Sequence, residues 1–223
     1  MYHIFVDLEM NDTERKYKSV KNGLRHEVIE FGAVVFDDSF NEVGSYKNYV
    51  KPAFSDHIRA KIVELTGITD NMLLNARSFE AVLKDFCDWC ASYGCDKSIY
   101  EWSNADLAQL IREAQKKEIV LTDEVGSVLQ DWQDVQRLYG DVMGTNTQIA
   151  LETAIWTFGE SFVGRAHDAL NDARNTAMVY AMLQNEKDVA MAKQMLHHGT
   201  PETSISVTLG DLFDFSKLQL ATG

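Results

Sequence analysis

Two carboxylates, Asp7 and Glu9, close the apolar run His3-Ile4-Phe5-Val6-Asp7-Leu8-Glu9. On an extended strand that spacing puts both side chains on one face. A third acid, Asp106, follows the segment Ile99 to Ala105 and opens a predicted helix. His167 and Asp172 stand together in Gly164-Arg165-Ala166-His167-Asp168-Ala169-Leu170-Asn171-Asp172-Ala173. There His167 precedes a helix and Asp172 falls in its second turn, which turns both inward. Four carboxylates converging on one point are intelligible only with cations between them. Two divalent ions about 4 Å apart suit phosphodiester hydrolysis, which needs an activated water, charge neutralisation at phosphorus and a stabilised leaving oxygen. Hard ions such as Mg²⁺ or Mn²⁺ take oxygen ligands. An imidazole at the rim, with a pKa near ambient pH, would take the proton of the attacking water.

Each piece has a plainer meaning when taken alone. Surface strands often end in acids, an Asp at a helix start usually caps it, and a His ahead of a helix can be a buried polar contact. The joint occurrence of the five residues in this order is what points to a site.

The elements that must position these residues follow from periodicity. His3 to Glu9, His26 to Phe36 and Val43 to Val50 read as strands of an antiparallel meander, the last closed by Pro52. From Ser55 the pattern turns helical, with Ile58, Ile62 and Leu65 on one side and a stop at Gly67. Helices are expected over 78–93, 106–117, 131–139, 149–158 and 169–184, with a short strand over 97–101. Early strands, late helices and one returning strand predict an α/β domain with a mixed sheet flanked by helices. The pattern weakens after Glu186, so the expected organisation is a domain over 1–185 and a C-terminal extension over 186–223. Within that extension, 204–223 reads as a short apolar segment.

Composition narrows the options. A net charge of -13 argues against a protein held on nucleic acid by a global positive field, so any phosphate contact must be local. No stretch approaches the roughly 20 apolar residues of a membrane span, and the opening lacks the features of a leader. The expectation is a soluble, cytoplasmic protein without a membrane partner. Cys87 and Cys90 fall with Phe79, Val82, Leu83 and Phe86 on one apolar helical face, which favours packing over zinc. His197-His198 reads as a helix end rather than a ligand pair. Glu27 and Glu30, within an apolar strand, are read as structural or supporting groups. The basic run Arg15-Lys16-Tyr17-Lys18-Ser19-Val20-Lys21 with Arg25 could meet backbone phosphates, with Tyr17 free to stack, or be a solvated loop. Arg165 offers a bidentate fork to phosphate.

With these residues in view, the chain resembles the DEDDh exonuclease superfamily, the group of RNase T and the DNA polymerase III ε-subunit, and within it most the ERI-1-type exoribonucleases and bacterial KapD-like proteins. The first motif is Val6-Asp7-Leu8-Glu9, followed by His26-Glu27-Val28-Ile29-Glu30-Phe31-Gly32 and Leu65-Thr66-Gly67-Ile68-Thr69. The second lies within Trp102 to Leu110, and the third runs from Gly164-Arg165-Ala166-His167 to Asp172-Ala173. Three residues separate Trp102 from Asp106, where the commoner pattern has Trp followed directly by Asp; Glu101 is the nearest other acid. The resemblance spans about Tyr2 to Leu183. It implies an RNase H-like fold with a five-stranded mixed sheet, metal ligands at Asp7, Glu9, Asp106 and Asp172, a base at His167, and contacts to the terminal nucleotide from Met10, Thr66 and Trp102. The implied activity is 3′-to-5′ hydrolysis at nucleic-acid 3′ ends, RNA favoured over DNA, releasing nucleoside 5′-monophosphates with two Mg²⁺ or Mn²⁺ ions. A DNA-directed proofreading-type exonuclease and a non-catalytic interaction module on the same fold are the alternatives.

Overall fold

Strand alternation decides where everything else sits. The structure, a computed structural model, describes residues 1–197; the expected apolar segment over 204–223 and His198 lie outside them. Three strands, β1 (Tyr2–Asp12), β2 (His26–Phe36) and β3 (Glu42–Lys51), form the expected antiparallel meander. Then come α1 (Ala60–Thr66), α2 (Asp70–Leu73), β4 (Arg77–Ser78), α3 (Phe79–Ala91), β5 (Lys97–Glu101) and α4 (Ala105–Lys116). The described chain finishes with α5 (Asp123–Val128), β6 (Gln133–Asp134), α6 (Val135–Met143), α7 (Leu151–Thr157), α8 (Ala169–Leu183) and α9 (Glu186–His197). The mixed sheet runs β4-β3-β2-β1-β5-β6, with β1–β5, β3–β4 and β5–β6 parallel. It has six strands where the resemblance implies five: the four strands read from periodicity, with β4 and β6 as two-residue edges on either side.

One face of β1 carries Ile4, Val6, Leu8 and Met10 into a core shared with Phe31, Ala33, Val35 and the inner side of α3. Cys87 and Cys90 lie in that core, as the helical spacing predicts. The other face sends Phe5, with Val34 of β2, against α6, α7 and α8. Asp7 and Glu9 have the parity of Phe5 and therefore face α8. Register slips between Glu9 and Met10, so that Glu9 faces Glu30 while Met10 faces Val28. The extra residue, Ile29, packs with Ile58, Ile62, Ile68 and Leu73 under α1 and α2.

Two local expectations shift. Helix α1 starts at Ala60 rather than near Ser55, because the N–H groups of Asp56 and His57 go to Glu14, that of Ile58 to Asp70 and that of Arg59 to Asn11. Helix α6 starts at Val135 rather than Asp131, since Asp134 lies in β6 and its carboxylate accepts from Arg137 N as the N-cap. Helix α9 docks on the second core, with Ala192 buried and Val189 and Leu196 packed against it. Among the described residues no helix is long and apolar enough to cross a membrane.

Candidate active site

Helix α8 sits directly on β2. A Cβ on Gly32 would lie 2.1 Å from the Ala169 carbonyl carbon, so only glycine admits this approach of helix start to strand. The Asp168 side chain caps the helix by accepting from Asn171 N. Buried Glu30 accepts from Ala169 N at 3.0 Å. Lys47 of β3 reaches both acids, 3.1 Å from Glu30 and 2.6 Å from Asp168. These contacts fix the first turn of α8, and with it Asp172 and the residue ahead of the helix, His167.

His167 adopts a left-handed backbone conformation with φ of 59°, and its N–H donates to Asp172 Oδ2 at 3.2 Å. That turn swings the imidazole toward the strand. Ligand atoms of Glu9, His167 and Asp172 all lie within 4.8 Å of one another. Helix α4 delivers Asp106 in its first turn from the neighbouring end of β5, where its carboxylate accepts from Leu8 N.

The electrostatics join the four acids into one group. Burial first, then Asp106, Asp172 and Glu9, push the Asp7 carboxyl well above the usual carboxylate range. Burial and the charge of Asp172 do the same to Glu9. Burial with Asp172 raises Asp106 to about 8, and burial raises Asp172 to about 7 although the His167 N–H opposes it. Burial lowers the His167 imidazole, so its neutral, proton-accepting form dominates at neutral pH, with Glu152 pulling the other way.

Glu9 Oε2 and Asp172 Oδ1 are buried without a hydrogen-bond donor among the described residues. Buried acceptors left in that state are costly, and like-charged carboxylates facing one another add to the strain. A divalent cation removes both penalties, and the oxygen-rich donor set with one imidazole fits Mg²⁺ or Mn²⁺. Asp7, Glu9, Asp106 and Asp172 have the chemistry to hold such ions.

The residues expected at the terminal nucleotide are placed less uniformly. Met10 packs into the first core, on the face opposite Asp7 and Glu9. Thr66 is buried, its hydroxyl donating to Ile62 O and accepting from Ile68 N. Trp102 is buried beside Tyr139, with an indole N–H that has no acceptor among the described residues. The Arg165 guanidinium donates to the Glu64 and Leu65 carbonyls at the end of α1 and lies where a Cβ on Gly67 would be.

Three further groups matter that motif spacing alone does not bring forward. Asp168 carries a signal, since an Asp directly before a helix is a cap; nothing local marks Lys47. Glu101, which the sequence offers only as a neighbour of Asp106, is buried beside it, accepts from Leu107 N and is raised to about 9 by burial and by Asp106. Its short strand-to-helix spacing is the signal that could have found it.

A family model described as "Exonuclease", RNase_T, matches residues 4–180. Among curated proteins, ERI1 exoribonuclease 2 of Danio rerio is 28% identical over 179 residues, covering 71% of this chain and 31% of its own length. The 3′-5′ exonuclease crn-4 of Caenorhabditis elegans is 25% identical over 169 residues, covering 71% of this chain and 56% of its own. The chain thus spans only about a third to a little over half of the curated relatives it matches. Among solved structures, the nuclease domain of 3′hExo, a DEDDh family member bound to rAMP, superimposes with a TM-score of 0.71 at 22% identity. That match covers 84% of this chain and 94% of the other, and establishes a shared fold.

Proposed function

We propose that this chain, which belongs to the RNase_T exonuclease family, hydrolyses phosphodiester bonds one nucleotide at a time from the 3′ end of RNA or short single-stranded nucleic acid. The observation that carries the reading is the convergence of Glu9, His167 and Asp172 within 4.8 Å, with donorless buried oxygens on both acids and Asp7 and Asp106 coupled to them by charge. RNA is favoured over DNA because curated relatives are named exoribonucleases. The nuclease unit is taken as 1–185, with the residues from 186 as an extension, in a cytoplasmic setting.

In this reading Asp7, Glu9, Asp106 and Asp172 hold two Mg²⁺ or Mn²⁺ ions. When bound, these ions supply the positive charge that neutralises the phosphate and makes water acidic enough to attack. His167, neutral because burial disfavours its charged form, accepts the proton of the attacking water. Asp172 holds the His167 backbone through its N–H, and Lys47 with Glu30 anchors the turn that presents both. The product is a nucleoside 5′-monophosphate. Of the contacts implied for the terminal nucleotide, Trp102 is best supported, since its indole N–H lacks an acceptor among the described residues. Met10 and Thr66 would act through packing, and Arg165 would reach phosphate only after leaving the α1 carbonyls.

The test is incubation of 5′-labelled linear and internally labelled circular single-stranded RNA and DNA with Mg²⁺, Mn²⁺ or a chelator. The expected result is a ladder shortening from the 3′ end of linear RNA, abolished by the chelator, with circles untouched. Equal cutting of circles would overturn the polarity, and cutting in the presence of chelator would overturn the metal assignment.

A further inference from the structure

We propose that Glu101 is a positioning residue for the carboxylate site: from the end of β5 it grips the first turn of α4 and so sets where Asp106 presents its oxygens. This deepens the metal reading above and rests on it. Glu101 is 2% exposed and accepts from Leu107 N at 2.9 Å and from Asp106 N. Both N–H groups belong to the set that a helix start leaves without an intrahelical partner. The usual residue for that duty is the N-cap, but here Asn104 makes no side-chain hydrogen bond to the helix and is exposed. Glu101, on the strand just upstream, takes its place.

The base from which Glu101 reaches is rigid. Strand β5 lies between β1 and β6, and Glu101 pairs in register with Val6 on one side and Asp134 on the other. Val6 is the chain neighbour of Asp7. The turn between Glu101 and α4 is held from the β6 side as well, because Asp134 accepts from Asn104 N and Trp102 O accepts from Gln136 N at 2.8 Å. Beyond the last β1–β5 pair, the Asp106 carboxylate accepts from Leu8 N, between Asp7 and Glu9. The contacts therefore form a circuit that leaves β1 at Val6, passes through Glu101 and the first turn of α4, and returns to β1 at Leu8. Loosening that turn opens the circuit at Leu8 N and carries the Asp106 oxygens away from the other acids.

The residue type points the same way. A buried acid beside Asp106 and Asp134 is opposed by the charge of both, a cost that an apolar side chain would avoid. Only an acceptor, however, can hold the two backbone N–H groups, so the site uses the oxygens of Glu101 rather than its charge. Glutamine keeps an oxygen at the same reach and should serve. Alanine has none, and aspartate is one methylene short.

The experiment compares the parent with Glu101→Gln, Glu101→Ala and Glu101→Asp. Tyr46→Phe, which removes a hydrogen bond to Asp85 on the α3 side of the sheet, reports the effect of lost stability alone. Mn²⁺ affinity is read by isothermal titration at a temperature where circular dichroism shows each protein folded, and cleavage of a ten-nucleotide single-stranded RNA gives kcat and KM. The expected result is a Kd for Mn²⁺ raised about 10–100-fold in the alanine and aspartate variants, with kcat lowered and KM for RNA unchanged. Glu101→Gln should stay close to the parent in Mn²⁺ affinity, and Tyr46→Phe should lower Tm while leaving that affinity parental. Parental Mn²⁺ affinity in the alanine or aspartate variant would overturn the positioning role, and so would a glutamine variant as weak as alanine. If Glu101→Ala does not fold, the aspartate and glutamine variants decide by the same readings. A parent that binds Mn²⁺ but cleaves no RNA would overturn the exonuclease reading and leave the titrations to decide the role of Glu101, whereas a parent that binds no Mn²⁺ would overturn both.

Discussion

Two groups of buried acids lie along this fold, and they are treated in opposite ways. At the far end of α4, Glu27 and Glu113 share the Lys117 ammonium. Glu27 also accepts from Ala53 N and Phe54 N, and Glu113 from Val28 N and Gln109. There the protein supplies its own cation and donors. At the near end, the charges of Asp7, Glu9, Asp106 and Asp172 act on one another; among the described residues no lysine or arginine pairs with them, and two of their oxygens have no donor. The difference is one of completeness: one cluster is satisfied by the chain itself, and the other keeps oxygens that nothing among the described residues satisfies.

The largest expected effect is on the unsatisfied group. Asp7→Asn should lower metal-dependent release of nucleotides from labelled RNA by roughly a thousandfold or more, since metal stabilisation is worth several kcal/mol. The metal-free fold should be as stable as the parent or more so, and a variant that cuts RNA at the parental rate would erase the contrast. Next comes the satisfied group. Glu27→Ala leaves the Lys117 ammonium with Glu113 alone and strands the Ala53 and Phe54 N–H groups, and should cost about 2–4 kcal/mol in urea denaturation. A loss near zero would mean that the cluster is not held as its hydrogen bonds indicate.

Metal should distinguish the two groups directly. Mn²⁺ at about a hundred times its dissociation constant should stabilise the parent by about 2.7 kcal/mol, read as a rise in Tm that a chelator reverses. The rise should vanish in Asp7→Asn and survive in Lys117→Met, if the latter folds at the temperature used. A smaller effect concerns pH. The folded pKa values of Asp106 and Asp172 are raised to about 8 and about 7, so the folded state binds protons more tightly than the unfolded one. Their contribution is fully present below about pH 4 and is lost as pH rises through 7 to 8. The Tm of the metal-free protein should therefore fall between pH 6 and pH 9, at about 2–4 °C per kcal/mol lost. The metal-loaded protein should show a flatter profile, and identical profiles would place the raised carboxyls elsewhere.

Much of the near-end group is legible in the sequence because its signals are local. Alternation in β1 sets Asp7 and Glu9 on a shared face, and the short interval between His167 and Asp172 places both around one helix start. Asp106 is legible as a helix opener despite the three residues after Trp102, because strand β5 ends at Glu101 and only one acid occupies the first turn of α4. The far-end group is not, since Glu27 and Lys117 meet only after the sheet and α4 have come together. The same holds for Lys47 with Asp168, and for Arg165 with the carbonyls of Glu64 and Leu65. Strands β4 and β6, each of two residues, are too short for periodicity to register. The start of α1 escapes the helical pattern because side chains from distant segments capture its backbone donors.

The left-handed turn at His167 has a consequence for anyone wishing to hold an uncut strand in place. A non-glycine residue in that conformation costs roughly 1–2 kcal/mol, a penalty that glycine escapes. His167→Gly should thus lose the imidazole yet relieve the backbone, whereas His167→Ala loses the imidazole and keeps the penalty. Chemical denaturation should rank glycine above alanine by about 1 kcal/mol, which makes the glycine form the better slow-turnover scaffold for trapping a bound 3′ terminus.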